Sequence, residues 1–149
     1  MIEINNLHKS FGNNNVLNGV NLQIKKGETL VIIGRSGCGK SVLIKHIVGL
    51  LEPDSGYVKV EGQIVNNLKE KELFTLRRKF GFLFQGAALF DSMTVEENVS
   101  LPLVESLNGI DKNDILRIVN EKLELVGLTG SNNLKPSELS GGMKKRVGL

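Results

Sequence analysis

One cysteine in 149 residues excludes an internal disulfide and suits a reducing compartment. No apolar stretch reaches the length of a membrane span, because Lys45, His46 and Pro102 interrupt the longest ones. The opening Met1-Ile2-Glu3-Ile4-Asn5 carries an acid and lacks the apolar run of a secretory signal. These absences lead us to expect a cytoplasmic chain whose membrane role, if any, comes through a partner. Neither sign of charge dominates: 19 Lys and Arg against 16 Asp and Glu leave +3. The basic residues are scattered as Lys25-Lys26, Arg77-Arg78-Lys79 and Lys144-Lys145-Arg146, not gathered into the stripe that nucleic acid requires. No nucleic-acid partner is therefore expected. Repeats and low-complexity segments are missing too. What remains is an ordinary globular composition, 40% apolar and 23% charged, enough for one domain or part of one.

A more telling absence lies inside the chain: no Asp or Glu occurs between Thr29 and Leu51. Within that stretch Gly34-Arg35-Ser36-Gly37-Cys38-Gly39-Lys40-Ser41 fits G-x-x-x-x-G-K-[ST] in full. The apolar run Leu30–Ile33 before it reads as a strand buried on both faces of a parallel sheet, and Ser41–Leu50 after it reads as a helix. Strand, glycine loop and helix are the context in which this spacing cradles phosphate. Glycines let successive N–H groups turn inward as an anion nest, and the helix N-terminus adds roughly half a positive charge. With no carboxylate nearby, Arg35 and Lys40 need an external anion, and a nucleotide triphosphate supplies it. Ser41 then offers a hydroxyl to Mg²⁺, which takes few protein ligands.

Along the rest of the chain, Ile2–Leu7 and Val16–Ile24 read as strands separated by a turn over Ser10–Asn15. Glu52–Gly56 reads as a tight turn, Tyr57–Val60 and Gln63–Val65 as a hairpin, and Lys69–Lys79 as a short helix. Phe80–Phe84 is a second central-strand candidate, ending at Gln85-Gly86. Thr94 opens a helix with Glu96 and Glu97 in its first turn. Asp111–Val126 is amphipathic, with Leu116, Val119, Leu123 and Val126 on one stripe, stopped by Gly127 and Gly130. Leu139-Ser140-Gly141-Gly142-Met143 precedes the last basic run; read alone, Ser-Gly-Gly is equally a flexible turn or an anion-ready helix start. His8 and His46 have no catalytic context, and His46 is expected to be packed or hydrogen-bonded.

A phosphate loop, a strand ending in Phe84-Gln85, a helical insertion and Leu-Ser-Gly-Gly, in that order, resemble the ATP-binding subunit of ABC transporters along the whole chain. The resemblance implies an α/β P-loop NTPase (RecA-like) core with a mostly helical subdomain. It divides a single incomplete domain, 1–149, into a nucleotide-binding core at 1–86, a helical subdomain at 87–140 and the start of the signature helix at 141–149. It implies that Phe11 stacks on adenine with Val16 beside it, and that Gly34, Arg35, Ser36, Gly37, Cys38, Gly39, Lys40 and Ser41 hold the ATP phosphates. Gln85 would contact Mg²⁺ and the attacking water where the membrane subunit docks. Ser140, Gly141 and Gly142 would cap the γ-phosphate held by the other subunit of a head-to-tail homodimer. Leu83–Phe90, Met93-Thr94-Val95 through Asn98-Val99, Leu101-Pro102-Leu103 and Pro136–Arg146, with Met143 in it, look like the Mla/Mce-type phospholipid transporter ATPases. That branch implies a permease and an MCE-domain substrate-binding protein as partners, with the ATPase peripheral on the inner face of the plasma membrane. Ala87–Phe90 and Met93 read equally as local core of the helical subdomain.

The family's Walker B aspartate, catalytic glutamate and switch histidine match nothing before Leu149. We therefore expect that the core lacks its later strands and that this chain alone does not hydrolyse ATP. Two other readings stay open: an ABC ATPase for another cargo, and a non-catalytic nucleotide-binding module. The loop assignment has a direct check in Cys38, which sits between Gly37 and Gly39. ATP is expected to slow its alkylation; equal labelling rates with and without nucleotide would count against the assignment.

Overall fold

The computed structural model describes residues 1–106 and 110–149, so residues 107–109 of the expected helical subdomain lie outside the described residues. The chain divides into two compact units, Met1–Phe80 and Gly81–Leu149.

The first unit is built on a four-stranded sheet. Strands β1 (Ile2–Phe11), β2 (Asn14–Ile24), β3 (Ser55–Val60) and β4 (Gln63–Ile64) lie in the order β2-β1-β3-β4. Every pairing among the described residues is antiparallel. The β1–β2 hairpin closes at Gly12-Asn13, with Phe11 opposite Asn14, so the turn is tighter than the expected Ser10–Asn15. Helix α1 (Lys40–Ile47) lays Leu43, His46 and Ile47 inward. Leu43 and Ile47 join Ile4, Leu7, Leu17, Val58, Val60 and Val65 in one core, to which α2 (Glu70–Arg77) adds Leu76.

Two expected strands do not form as such. Leu30–Ile33 and Gly81–Phe84 are in no ladder, because among the described residues no strand lies beside either to complete its hydrogen bonds. Burial follows the same logic. Only Ile32 of the first run packs against the core; Val31 and Ile33 are 74% and 90% exposed, where burial on both faces was expected.

The second unit is helical: α3 (Val95–Ser106), α4 (Lys112–Leu125) and α5 (Gly141–Val147). Thr94 Oγ1 accepts the Glu97 N–H at 3.2 Å while Glu97 Oε2 accepts the Thr94 N–H at 2.7 Å. This reciprocal capping box explains why α3 starts where it does. Asp111 caps α4 by accepting the Asn113 N–H at 2.7 Å. The buried side of α4 runs through Ile115, Val119 and Leu123. Val119, Leu123 and Val126 pack as expected, but Leu116 is exposed and Ile115 takes its place; a helical period of 3.6 admits either neighbour and packing selects one.

Leu7 is fully buried at the centre of the first core. Leu7→Ala is expected to cost about 2–5 kcal/mol through lost burial and a residual cavity. Urea unfolding followed by circular dichroism measures this; a loss under about 1 kcal/mol would mean the site is not packed as described.

Candidate functional site

The glycine loop is shaped by one close approach. Gly39, the N-cap of α1, has φ 94 and no side-chain cap, and Gly37 has φ 79. A Cβ on Gly39 would lie 3.0 Å from both the Val16 Cγ1 and the Val16 carbonyl oxygen. Conformation and space thus both demand glycine there. Val16 reaches this spot because it is an extra residue in β2: Lys9 pairs with Leu17, but the next residue, Ser10, pairs with Asn15. Such a bulge re-aims the strand's side chains.

No acidic side chain stands in or beside the loop. The first helical N–H groups of α1 have no intrahelical acceptor, no acid lies in its first turn, and the helix dipole concentrates positive charge there. Lys40 Nζ folds across the loop and donates to the carbonyls of Gly34 at 2.8 Å and Arg35 at 2.7 Å, with Cys38 Sγ at 3.6 Å. No carboxylate pairs with it among the described residues. Cys38 is exposed and its sulfur covers Gly34, where a Cβ would lie 2.6 Å away. Arg35, Ser36 and Ser41 are exposed beside it. An unpaired ammonium, uncapped amides and open glycines fit a polyphosphate. No cluster of three His, Cys, Asp or Glu occurs among the described residues. A hard cation here would therefore rest on Ser41 and on phosphate oxygens, as Mg²⁺ characteristically does.

Phe11, on the same unit, ends β1 with its ring 47% exposed, and Lys9 Nζ lies 5.7 Å from the ring centroid. Lys9 is paired with Asp54 at 2.8 Å. Hydrogen bonding from Lys9, then from the Ser10 N–H, holds the Asp54 carboxyl below the usual carboxylate range. His46 is buried in α1, its Nδ1 donating to the Val42 carbonyl at 2.7 Å, which makes it a packed residue.

The second unit holds the other residues singled out in the sequence. Gln85 is exposed in a turn over residues 85–88. The turn places Ala87 at φ 65 and Ala88 at φ 54, left-handed conformations that alanine rarely adopts. Beside it opens a groove of about 700 Å³ lined by Phe84, Leu89, Phe90, Val99, Leu125 and Val147 among others. Asn98, one of the residues that carry the Mla/Mce resemblance, ties that wall together. Its Oδ1 accepts the Phe90 N–H, and its Nδ2 donates to the carbonyls of Phe90 and Thr94. Ser140 caps α5 by accepting the Met143 N–H at 3.2 Å. A Cβ on Gly141 or Gly142 would meet nothing within 4 Å, and neither glycine has a positive φ.

An α/β protein with a glycine phosphate loop at the head of a helix belongs among the nucleotide-binding P-loop proteins. The ABC transporter family model matches residues 17–149, and the chain belongs to that family. It is 44% identical over 149 residues to the methionine import ATP-binding protein MetN of Rhizobium johnstonii. It is 45% identical over 148 residues to the probable ribonucleotide transport ATP-binding protein mkl of Mycobacterium tuberculosis. Over 150 residues it is 46% identical to the chloroplastic protein TRIGALACTOSYLDIACYLGLYCEROL 3 of Arabidopsis thaliana. These alignments cover 99–100% of the chain but only 41–43% of the relatives, so the chain spans about two fifths of their length. A dimeric bacterial ABC transporter cassette superposes with TM-score 0.90 at 36% identity, covering 99% of this chain and 67% of that one. A post-hydrolysis cassette dimer bound to ADP and Pi gives TM-score 0.89 over the same shares. The fold is the α/β P-loop fold of ABC ATPase cassettes.

The left-handed alanines make a local test. Ala88 is exposed, so Ala88→Gly is expected to raise stability by about 0.5–1 kcal/mol, whereas Ala88→Val forces a β-branched residue into the left-handed region and lowers it. Paired thermal melts check this; a loss of stability in Ala88→Gly would contradict the turn geometry.

Proposed function

We propose that this chain is the nucleotide-binding part of an ABC transporter ATPase, holding MgATP at Gly34–Ser41. The observation that carries the proposal is the glycine loop around Lys40, where helix-end amides meet an ammonium with no carboxylate to neutralise it. In this reading Lys40 releases its two backbone carbonyls to engage the β- and γ-phosphates, a stronger charge-assisted contact. The amides of Gly37, Gly39 and α1 hold the same oxygens, flanked by Arg35, Ser36 and Cys38. Ser41 ligates Mg²⁺, Phe11 stacks on the base, and Val16 buttresses the loop.

Gln85 is assigned to Mg²⁺ and the attacking water, within a surface that receives the permease; the apolar groove beside its turn supports that docking role. Ser140, Gly141 and Gly142 are assigned to the γ-phosphate of a second copy in a head-to-tail homodimer. Glycine costs about 1 kcal/mol in a helix relative to alanine, and nothing among the described residues requires it at 141 or 142. Open backbone there supports approach by another molecule. We assign residues 87–140 to the helical subdomain and 1–86 to the nucleotide-binding core. The complete protein would hydrolyse ATP at the inner membrane face; the 149 residues alone would bind without turnover, since none of them is assigned to activate water.

For the cargo we propose a lipid, with an MCE-domain binding protein as partner. The name of the Arabidopsis relative is that of a galactolipid, and Met143 together with Leu83–Leu103 resembles the Mla/Mce branch. Cargo of another class has support in the relatives named for methionine import and ribonucleotide transport. Lipid extracted from the detergent-purified transporter would favour the first; stimulation of its ATPase by methionine or a ribonucleotide would overturn it.

Calorimetric titration with MgATP tests the site itself. Lys40→Ala is expected to weaken binding about 10-fold or more without lowering the melting temperature. Equal affinity in the variant would remove the phosphate loop from the proposal.

A further inference from the structure

The end of β1 is held by more than its ladder. The Asp54 N–H donates to the His8 carbonyl at 2.9 Å. Asp54 Oδ2 accepts the Ser10 N–H at 2.6 Å and Oδ1 accepts Lys9 Nζ at 2.8 Å. Three consecutive residues before Phe11 are thus gripped by a single residue of the turn that precedes β3. Lys9 is the less exposed member of the ion pair, its side chain 17% exposed against 44% for Asp54. Its ammonium is kept on one face of the Phe11 ring, 5.7 Å from the centroid.

A cation on one ring face has two consequences. It occupies that face, so a planar group can stack only on the other. It also draws ring electron density toward itself, which favours an electron-rich heterocycle on the free face. An exposed phenylalanine at a hairpin tip would otherwise sample several rotamers, each lost on binding at an entropic cost.

We infer that Lys9 and Asp54 are positioning residues that pre-set Phe11 for a purine base: Asp54 fixes Lys9, and Lys9 fixes and polarises the ring. This rests on the reading of Phe11 as the base-stacking residue. It goes beyond that reading in assigning function to an ion pair 45 residues apart in sequence. Neither residue touches the nucleotide in this scheme. Their contribution is confined to the base and leaves the phosphates untouched.

That separation defines the experiment. The full 149-residue chain and its Lys9→Met, Asp54→Asn and Lys9→Arg variants are titrated with MgATP and with magnesium tripolyphosphate, which has no base. Lys9→Met and Asp54→Asn are expected to weaken ATP binding about 2- to 5-fold and to leave tripolyphosphate binding unchanged; Lys9→Arg, which keeps the cation, restores ATP affinity. Unchanged ATP affinity in Lys9→Met overturns the inference while the phosphate-loop reading survives. An equal fall for both ligands in that variant also overturns it, by showing a merely structural role. Failure of the unmodified chain to bind either ligand overturns the nucleotide reading and this inference with it. Lys9→Met leaves the Ser10–Asp54 hydrogen bond intact, so it decides the matter should Asp54→Asn fail to fold.

Discussion

The nucleotide-binding unit depends on one contact, the approach of the Val16 backbone to Gly39. A side chain at Gly39 would push β2 away from the loop or force α1 to begin elsewhere. With glycine, the chain turns through a left-handed residue straight into α1, whose uncapped amides face outward while Leu43 and Ile47 descend into the sheet's core. The bulge at Val16 is the sheet's side of the same contact. Removing the extra residue would remove the register shift between Lys9 and Ser10 and take Val16 off the loop. Loop shape, helix position and strand irregularity are therefore one solution to one steric constraint.

Electrostatics act on that frame. Lys40 stands at the positive end of a helix, where a cation is unfavourable, and the loop's own carbonyls receive it. That arrangement satisfies the ammonium's donors but leaves its charge uncompensated. At Lys9, near the hairpin turn, the logic is reversed. Lys9 is paired with Asp54, so it can order Phe11 without adding a second cation that lacks a carboxylate.

Local chemistry made much of this legible beforehand. The G-x-x-x-x-G-K-S spacing, the missing acids from Thr29 to Leu51 and the helix starts at Thr94 and Asp111 all rest on a few neighbouring residues, so pattern alone identifies them; the caps that set those starts were seen only in the structure. Contacts across long separations were not legible. Lys9 and Asp54 carry no spacing signal. Gly19, at φ 70 within β2, signals one irregularity of that strand, but no residue type signals the one at Val16. Asn98 belongs to the resemblance, yet its role shows only once its carboxamide is seen bridging the Phe90 and Thr94 backbones. The strand readings at Leu30–Ile33 and Phe80–Phe84 failed for a related reason. Apolar composition makes a segment fit for a sheet's interior, but a strand exists only where a neighbour completes its hydrogen bonds.

Sequence by itself determined the ligand class of the loop, the family and the helix starts, because each rests on short-range stereochemistry: glycine φ, a dipole end, a cap three residues from its partner. Tertiary structure alone decided that Ile115 rather than Leu116 completes the buried side of α4, that Val16 rather than another β2 residue meets Gly39, and that the Asp54 turn grips the strand leading to Phe11. Those outcomes depend on which surfaces meet once the chain has closed on itself, and packing choices between neighbouring residues such as Ile115 and Leu116 leave no trace in periodicity.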